Sequence, residues 1–238
     1  GAEVAATARG LGLDVTVVEA AATPLAGPLG VRMGAAVAAL HERHGVRLRC
    51  GTGVTGLSGT ARVDGVRLAD GTRLDADVVV LGLGVQPCVD WLAGSPVPVG
   101  DGVICDASGG TGVPGVIAVG DCAAWYDPEL GRHHRVEHWT GAATRPAQAV
   151  AALLSGRPVR ARLPYFWSDQ YGLRIQFAGH AEPHDEVSVE DGAPEEGSFL
   201  AVYRRAGEPV AVLGVDRVRS FVRWRKQLES RTTVRSPG

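Results

Sequence analysis

The chain has 238 residues, 45% of them hydrophobic and 21% charged, with a formal net charge of −2. That size and apolar content can bury one large core or two smaller ones, and the near-zero charge argues against a nucleic-acid surface, which needs a strongly basic face. No apolar run approaches the roughly 20 residues that cross a bilayer, and no charged segment followed by an apolar one opens the chain, so no membrane association is read and a cytoplasmic address is expected.

The first residues, Gly1-Ala2-Glu3-Val4-Ala5-Ala6, read as an apolar helix start, with a helix over 2–11 stopped by Gly12. A β-branched strand over 15–18 follows and ends on Glu19. In the dinucleotide-binding pattern G-x-G-x-x-G the last glycine permits close helix–strand packing, and a carboxylate about 20 residues on takes the ribose hydroxyls. Gly1 fits that last glycine and Glu19 that acid, as if the first strand and first two glycines were missing; the chain is expected to be a fragment. A second helix is expected over 29–44, stopped by Gly45, then a strand over 46–48. Short segments over 53–58, 65–68 and 72–74, with Asp70-Gly71 as a turn, form an antiparallel meander. Residues 77–84, Asp-Val-Val-Val-Leu-Gly-Leu-Gly, read as a parallel strand buried on both faces.

Residues 113–123 combine a buried strand with Gly120-Asp121 at its carboxyl end, and a helix start is expected just after. Ligands in open α/β sheets sit outside such strand ends, so Asp121 either hydrogen-bonds a polyol there or caps the next helix. Val136-Glu137-His138-Trp139 precedes a small-residue helix over 142–154, and His138 and Trp139 taken alone read as packing as readily as chemistry. The composition breaks near residue 160. Aromatic-rich 164–172 leads into strands over 173–177, 186–190, 199–204 and 210–215 and a last helix over 218–229, an α+β module with an antiparallel sheet, whose polar tail 230–238 is expected to fray. The four cysteines, Cys50, Cys88, Cys105 and Cys122, lack C-x-x-C spacing and read as reduced, mostly buried thiols rather than a disulfide framework, redox pair or metal site.

Six motifs in order, Gly1-Ala2-Glu3, Val17-Val18-Glu19, Gly82-Leu83-Gly84-Val85-Gln86-Pro87, Val119-Gly120-Asp121-Cys122-Ala123, Val136-Glu137-His138-Trp139 and Tyr165-Phe166-Trp167-Ser168-Asp169-Gln170, together resemble the FAD-dependent NADH:ferredoxin reductases of oxygenase and P450 systems, relatives of rubredoxin reductases and the apoptosis-inducing factor. The resemblance implies an α/β fold: doubly wound Rossmann-like NAD and FAD domains, incomplete at the N-terminus, followed by an α+β C-terminal reductase domain. On that template residues 1–87 are the NAD(H)-binding domain without its first strand, 88–159 the second segment of the FAD-binding domain, and 160–238 the reductase domain. The first FAD segment, with its own glycine fingerprint, is not among these residues.

The resemblance assigns Gly1 and Glu19 to the nicotinamide nucleotide, with NADH favoured because a carboxylate repels a 2′-phosphate; Arg32 lies too far past the strand to clamp one. It lets the nicotinamide approach along Gly82, Gly84 and Val85. It gives Asp121 to the FAD ribityl or pyrophosphate and places Glu137, His138 and Trp139 by the isoalloxazine, with Trp139 packed against the ring; Trp167 and Gln170 read as interface or core as readily as site residues. No residue is read as a catalytic acid or base, since the cofactors carry the chemistry. The resemblance implies that a hydride passes from NADH to FAD and that single electrons go on to a [2Fe-2S] ferredoxin or similar carrier. Two alternatives stay open: a truncated remnant acting as an interaction module, and a related reductase with rubredoxin, nitrite or a quinone as acceptor.

Overall fold

The structure, a computed structural model, describes residues 1–158 and 162–234. Gly1–Leu83 with Trp167–Ser230 form one compact unit, and Gly84–Phe166 form the body of a second.

The first unit opens with helix α1 (Ala2–Gly10), strand β1 (Thr16–Glu19), helix α2 (Ala26–Arg43) and strand β2 (Arg47–Cys50). β1 and β2 are parallel, with Thr16 opposite Arg47 and Glu19 opposite Cys50, so α2 is the crossover of a βαβ unit. Leu29, Met33, Val37 and Leu40 recur at helical spacing and are the buried stripe of α2. The helix starts earlier than the sequence predicts and is kinked at Gly30, whose φ of 73° no helical residue shares. Three antiparallel strands follow, β3 (Val54–Gly59), β4 (Val63–Leu68) and β5 (Arg73–Asp75), the expected meander.

Residues 77–84 depart from expectation. They form no strand, and Val78, Val80, Leu81, Leu83 and Val85 are each at least 60% exposed. A parallel strand is buried only when neighbours complete its ladder, and among the described residues β1 is paired on one side alone, with β2.

The second unit carries β6 (Val99–Gly100), β7 (Gly102–Cys105), β8 (Ala123–Asp127) and β9 (Arg132–Arg135) in that spatial order, with only β7 and β8 parallel, and helix α3 (Trp139–Ser155). Val89, Val103, Cys105, Ala123, Trp125 and Ala149 form its core. Here too an expected strand is open: residues 113–119 make only the isolated bridge Gly110–Ile117. The helix predicted after Asp121 is instead a turn leading into β8, because Ala123-Ala124-Trp125 pair with Val103-Ile104-Cys105. Helix α3 begins three residues before the predicted start and ends at Gly156, φ 65°.

The C-terminal strands β10 (Tyr165–Gln170), β11 (Leu173–Gly179), β12 (Glu186–Ala193), β13 (Ser198–Arg205) and β14 (Glu208–Val215) form one sheet ordered β10-β11-β14-β13-β12, followed by α4 (Val218–Val234). The helix continues past the predicted end at 229, and the expected fraying falls partly on residues 235–238, outside the described residues. Phe199, Leu200, Ala201 and Val202 are fully buried in succession, so β13 is covered on both faces. Alternation puts Leu200 and its partner Gly214 on one face, where Phe221 of α4 packs so closely that a Cβ on Gly214 would lie 3.2 Å from it. On the other face the Tyr203 hydroxyl donates 2.8 Å to the Leu29 carbonyl, released by the kink in α2. β10 escapes the sequence reading because its turn is Tyr171-Gly172, both at positive φ (55° and 76°), a demand usually met by Asn-Gly. Stacking of Tyr171 on His44 at 4.0 Å and a 2.5 Å hydrogen bond between its hydroxyl and His41 Nδ1 offset that strain.

Replacing Tyr203 by Phe leaves the buried Leu29 carbonyl unpaired and is expected to cost about 1–3 kcal/mol, read as a lower urea midpoint at unchanged slope. Asp185, its side chain fully buried, accepts Arg205 Nε and Nη2 at 2.8 Å each and the Glu182 amide at 2.7 Å. Burial alone raises its carboxyl, but the Arg205 guanidinium and the amide outweigh burial and hold it below the usual carboxylate range. The folded value is the lower one, so this stabilisation is present above the unfolded aspartate's titration and lost as pH falls through the folded value. Melting curves from pH 7 down to about pH 3 are expected to show a steeper acid loss for wild type than for Asp185→Asn, which starts lower at neutral pH.

Candidate functional site

The predicted site residues divide between the two units. In the first, Gly1 caps α1, and an added Cβ would meet nothing within 4 Å. Gly82 lies beside it: a Cβ there would come 3.5 Å from the Gly1 nitrogen. Two glycines side by side leave backbone open to a ligand's close approach. Glu19 ends β1, and its Oε1 accepts the Ala21 amide at 2.8 Å, which orients the carboxylate at the strand's carboxyl end. Arg32 is engaged elsewhere, donating to the Val187 carbonyl at 3.2 Å. Trp167 and Gln170 are in β10, where Gln170 is buried and Trp167 exposed. Glu3, by contrast, accepts from Ser168 Oγ at 2.7 Å and from the Asp169 amide at 3.3 Å, so it fastens α1 to β10. Gly84 and Val85 fall in the second unit, both exposed, Gly84 at φ 88°.

In the second unit, Gly120 (φ 81°) and exposed Asp121 make the turn before β8, and Glu137, His138 and Trp139 run from β9 into α3, with His138 as N-cap. Burial holds the His138 imidazole below its usual range, Arg145 adds to this, and Asp121 and Glu137 oppose it. The ring is therefore neutral at pH 7. Its Nδ1 is buried with no hydrogen-bond partner among the described residues, and Phe166 lies 4.9 Å from the ring. Trp139 is 74% exposed. A buried ring nitrogen without a partner next to an open indole and a glycine–aspartate turn fits a flat heterocycle with polar edges, which would supply what His138 lacks and cover Trp139. The residues present thus fit a flavin.

One organising residue escapes the sequence reading. Arg135 donates through Nη1 to the Asp121 carbonyl at 3.2 Å and to the Glu137 carboxylate, and pairs through Nη2 with Asp101 at 3.1 Å. It thereby joins two of the predicted residues. The signal available was the spacing Arg135-Val136-Glu137, which puts the two charges on one side of an extended segment. The thiols are less buried than expected: Cys50 and Cys88 are exposed, Cys122 is half-buried, and only Cys105 is buried, with burial pushing its thiol up to about 11. No group of three or more His, Cys, Asp or Glu that could hold a metal ion occurs among the described residues, and no described helix is long and apolar enough to cross a membrane.

The fold defines a class of protein, Rossmann-like α/β followed in the chain by an α+β reductase C-terminal module. The chain belongs to the pyridine nucleotide-disulphide oxidoreductase family, matched over residues 1–156, and residues 165–237 match the reductase C-terminal family. It is 38% identical over 237 residues to the 5,5'-dehydrodivanillate O-demethylase ferredoxin reductase subunit of a Sphingobium species, covering 98% of this chain and 57% of that protein. The ferredoxin reductase for the CYP199A2 system from Rhodopseudomonas palustris is similar in structure at a TM-score of 0.87 and 35% identity, over 94% of this chain and 56% of that one. So is the covalent putidaredoxin reductase–putidaredoxin complex, at 0.86 and 32%, over 97% and 56%. The chain spans a little over half the length of the relatives it matches.

Gly102 anchors the site's geometry. Its φ is 98°, and a Cβ would lie 2.4 Å from the Cys122 carbonyl and 2.8 Å from Arg135 Cδ. Gly102→Ala is expected to cost about 2–4 kcal/mol through backbone strain and overpacking, measured as a lowered melting temperature with accelerated amide exchange over residues 120–123.

Proposed function

We propose that this chain carries the NADH-binding, flavin-facing and C-terminal parts of a reductase that passes electrons from NADH through FAD to a [2Fe-2S] ferredoxin serving an oxygenase or P450. The proposed domains are residues 1–87 for NADH, 88–159 for the flavin-facing segment and 160–238 for the reductase module, and the proposed location is the cytoplasm. The observation that carries the reading is the start of α3, where His138 Nδ1 is buried and unpartnered and Trp139 is open. The relatives named as ferredoxin reductases support the choice of acceptor class.

Bound FAD would supply hydride acceptance and one-electron release, chemistry that no side chain here provides. The chain's own work is to bind and orient. Glu19 would take the adenosine ribose hydroxyls through its free carboxylate face while Ala21 holds the other oxygen, and its charge disfavours a 2′-phosphate. Gly1 and Gly82 admit the dinucleotide backbone to close range. Asp121 offers an exposed carboxylate to ribityl hydroxyls, Trp139 presents a flat face that excludes water, and neutral His138 can donate or accept at the ring edge without adding charge.

The test uses the purified chain. NADH binding is measured by calorimetry and FAD uptake by the visible band retained through gel filtration. NADH binding, with at most weak FAD uptake by residues that do not include the template's first FAD segment, is the expected result; Glu19→Gln should narrow the preference for NADH over NADPH by about tenfold, a change of 1.4 kcal/mol. Failure to bind NADH would overturn the reading.

A further inference from the structure

Arg135 closes β9 with its side chain only 11% exposed, while the two carboxylates it meets lie toward solvent: Asp101 is 77% and Glu137 37% exposed. Three separate segments converge on this one guanidinium. Asp101 comes from the turn between β6 and β7, the Asp121 carbonyl from the glycine–aspartate turn, and Glu137 from the entry to α3.

Ion pairs with exposed carboxylates contribute little, and Arg135 Nε is buried with no acceptor among the described residues, which costs stability. Stability alone is therefore a poor reason for an arginine here. Geometry is a better one. The guanidinium is a rigid planar fork whose donors diverge at fixed angles, and room for its stem exists because Gly102 has no Cβ to strike Arg135 Cδ. A fork gripping Glu137 and the Asp121 carbonyl through the same nitrogen fixes the distance between the two segments that the flavin reading places on the cofactor.

We propose that Arg135 is a positioning residue that locks the Gly120-Asp121 turn to the Glu137–Trp139 segment and so presets the flavin-facing surface. The proposal rests on the flavin reading for its purpose and on the contacts above for its geometry. The guanidinium touches no reacting atom in this role. It acts through Asp121 and Glu137. Lysine, a single ammonium on a flexible stem, would hold the two segments less rigidly.

The experiment compares the full chain with Arg135→Met, Arg135→Lys and Asp101→Asn by hydrogen exchange and by FAD titration. In Arg135→Met, peptides covering 119–122 and 136–140 should exchange about tenfold faster while those covering 199–215 stay as in wild type. FAD should bind at least about tenfold more weakly. Asp101→Asn, which leaves the Asp121 and Glu137 contacts in place, should match wild type in both peptides and bind FAD within about twofold. Arg135→Lys should fall between. Wild-type exchange in Arg135→Met, or FAD binding weakened no more than in Asp101→Asn, overturns the proposal. Should Arg135→Met unfold throughout, Arg135→Lys decides: behaviour identical to wild type in exchange and affinity overturns it. If the wild-type chain takes up no FAD, the exchange of the two peptides alone decides whether Arg135 locks them.

Discussion

A strand can be buried only where neighbours complete its backbone hydrogen bonds, and that constraint sorts this molecule into closed and open parts. The C-terminal sheet satisfies it. β13 is paired on both edges and covered on both faces, so four successive residues lose all contact with water and the module has a core independent of any bound group. Residues 77–84 fail it, and an apolar run that would be core in a completed sheet stands in solvent. Contiguous exposed apolar surface of this kind marks a place where something else packs. Residues 113–119 are also reduced to one bridge, but Ile117, Ala118 and Val119 are half-buried against the core of the second unit.

Both candidate cofactor sites border these open runs in sequence. Gly82 continues 77–81, and Gly120-Asp121 continues 113–119. In doubly wound sheets ligands sit where strands end, which places both candidate sites at the ends of these runs. What remains well defined is local: Glu19 held by the Ala21 amide, and the Asp121 and Glu137 segments held by Arg135. These contacts lie within turns and strand ends and do not need the ladder to be complete. A site can thus keep its polar geometry while its apolar walls are open.

The legible part of the sequence is explained by the same physics. Periodicity and glycine stops place α1, α2, the meander and four of the five C-terminal strands, because those elements are fixed by local preference and by partners close in the chain. The acid after β1 and the six ordered motifs point to the family. The reading fails where the outcome depends on a partner: apolar composition marks 77–84 and 113–119 as buried strands, and composition carries no information on whether a ladder partner is present. It also fails at Tyr171-Gly172, where a bulky residue takes a positive φ because His41 and His44, some 130 residues earlier, hold its ring. Arg135 escaped because its three acceptors are 34, 14 and 2 residues away and only the last is visible as a pattern.

The titrating groups fit a protein whose chemistry is carried by cofactors. Burial keeps His138 neutral and the Cys105 thiol protonated near neutral pH, so neither offers a charged nucleophile or a poised base. Of the carboxylates nearby, Glu137 is committed to an arginine, and Asp121 is exposed on a turn. On the proposed reading, the chain's part is to fix distance and orientation between bound groups. That shifts the functional burden to residues that touch nothing reactive, the glycines that permit close approach and the arginine that ties two segments together. It is why the proposed positioning residue of the second unit is one whose own chemistry never changes.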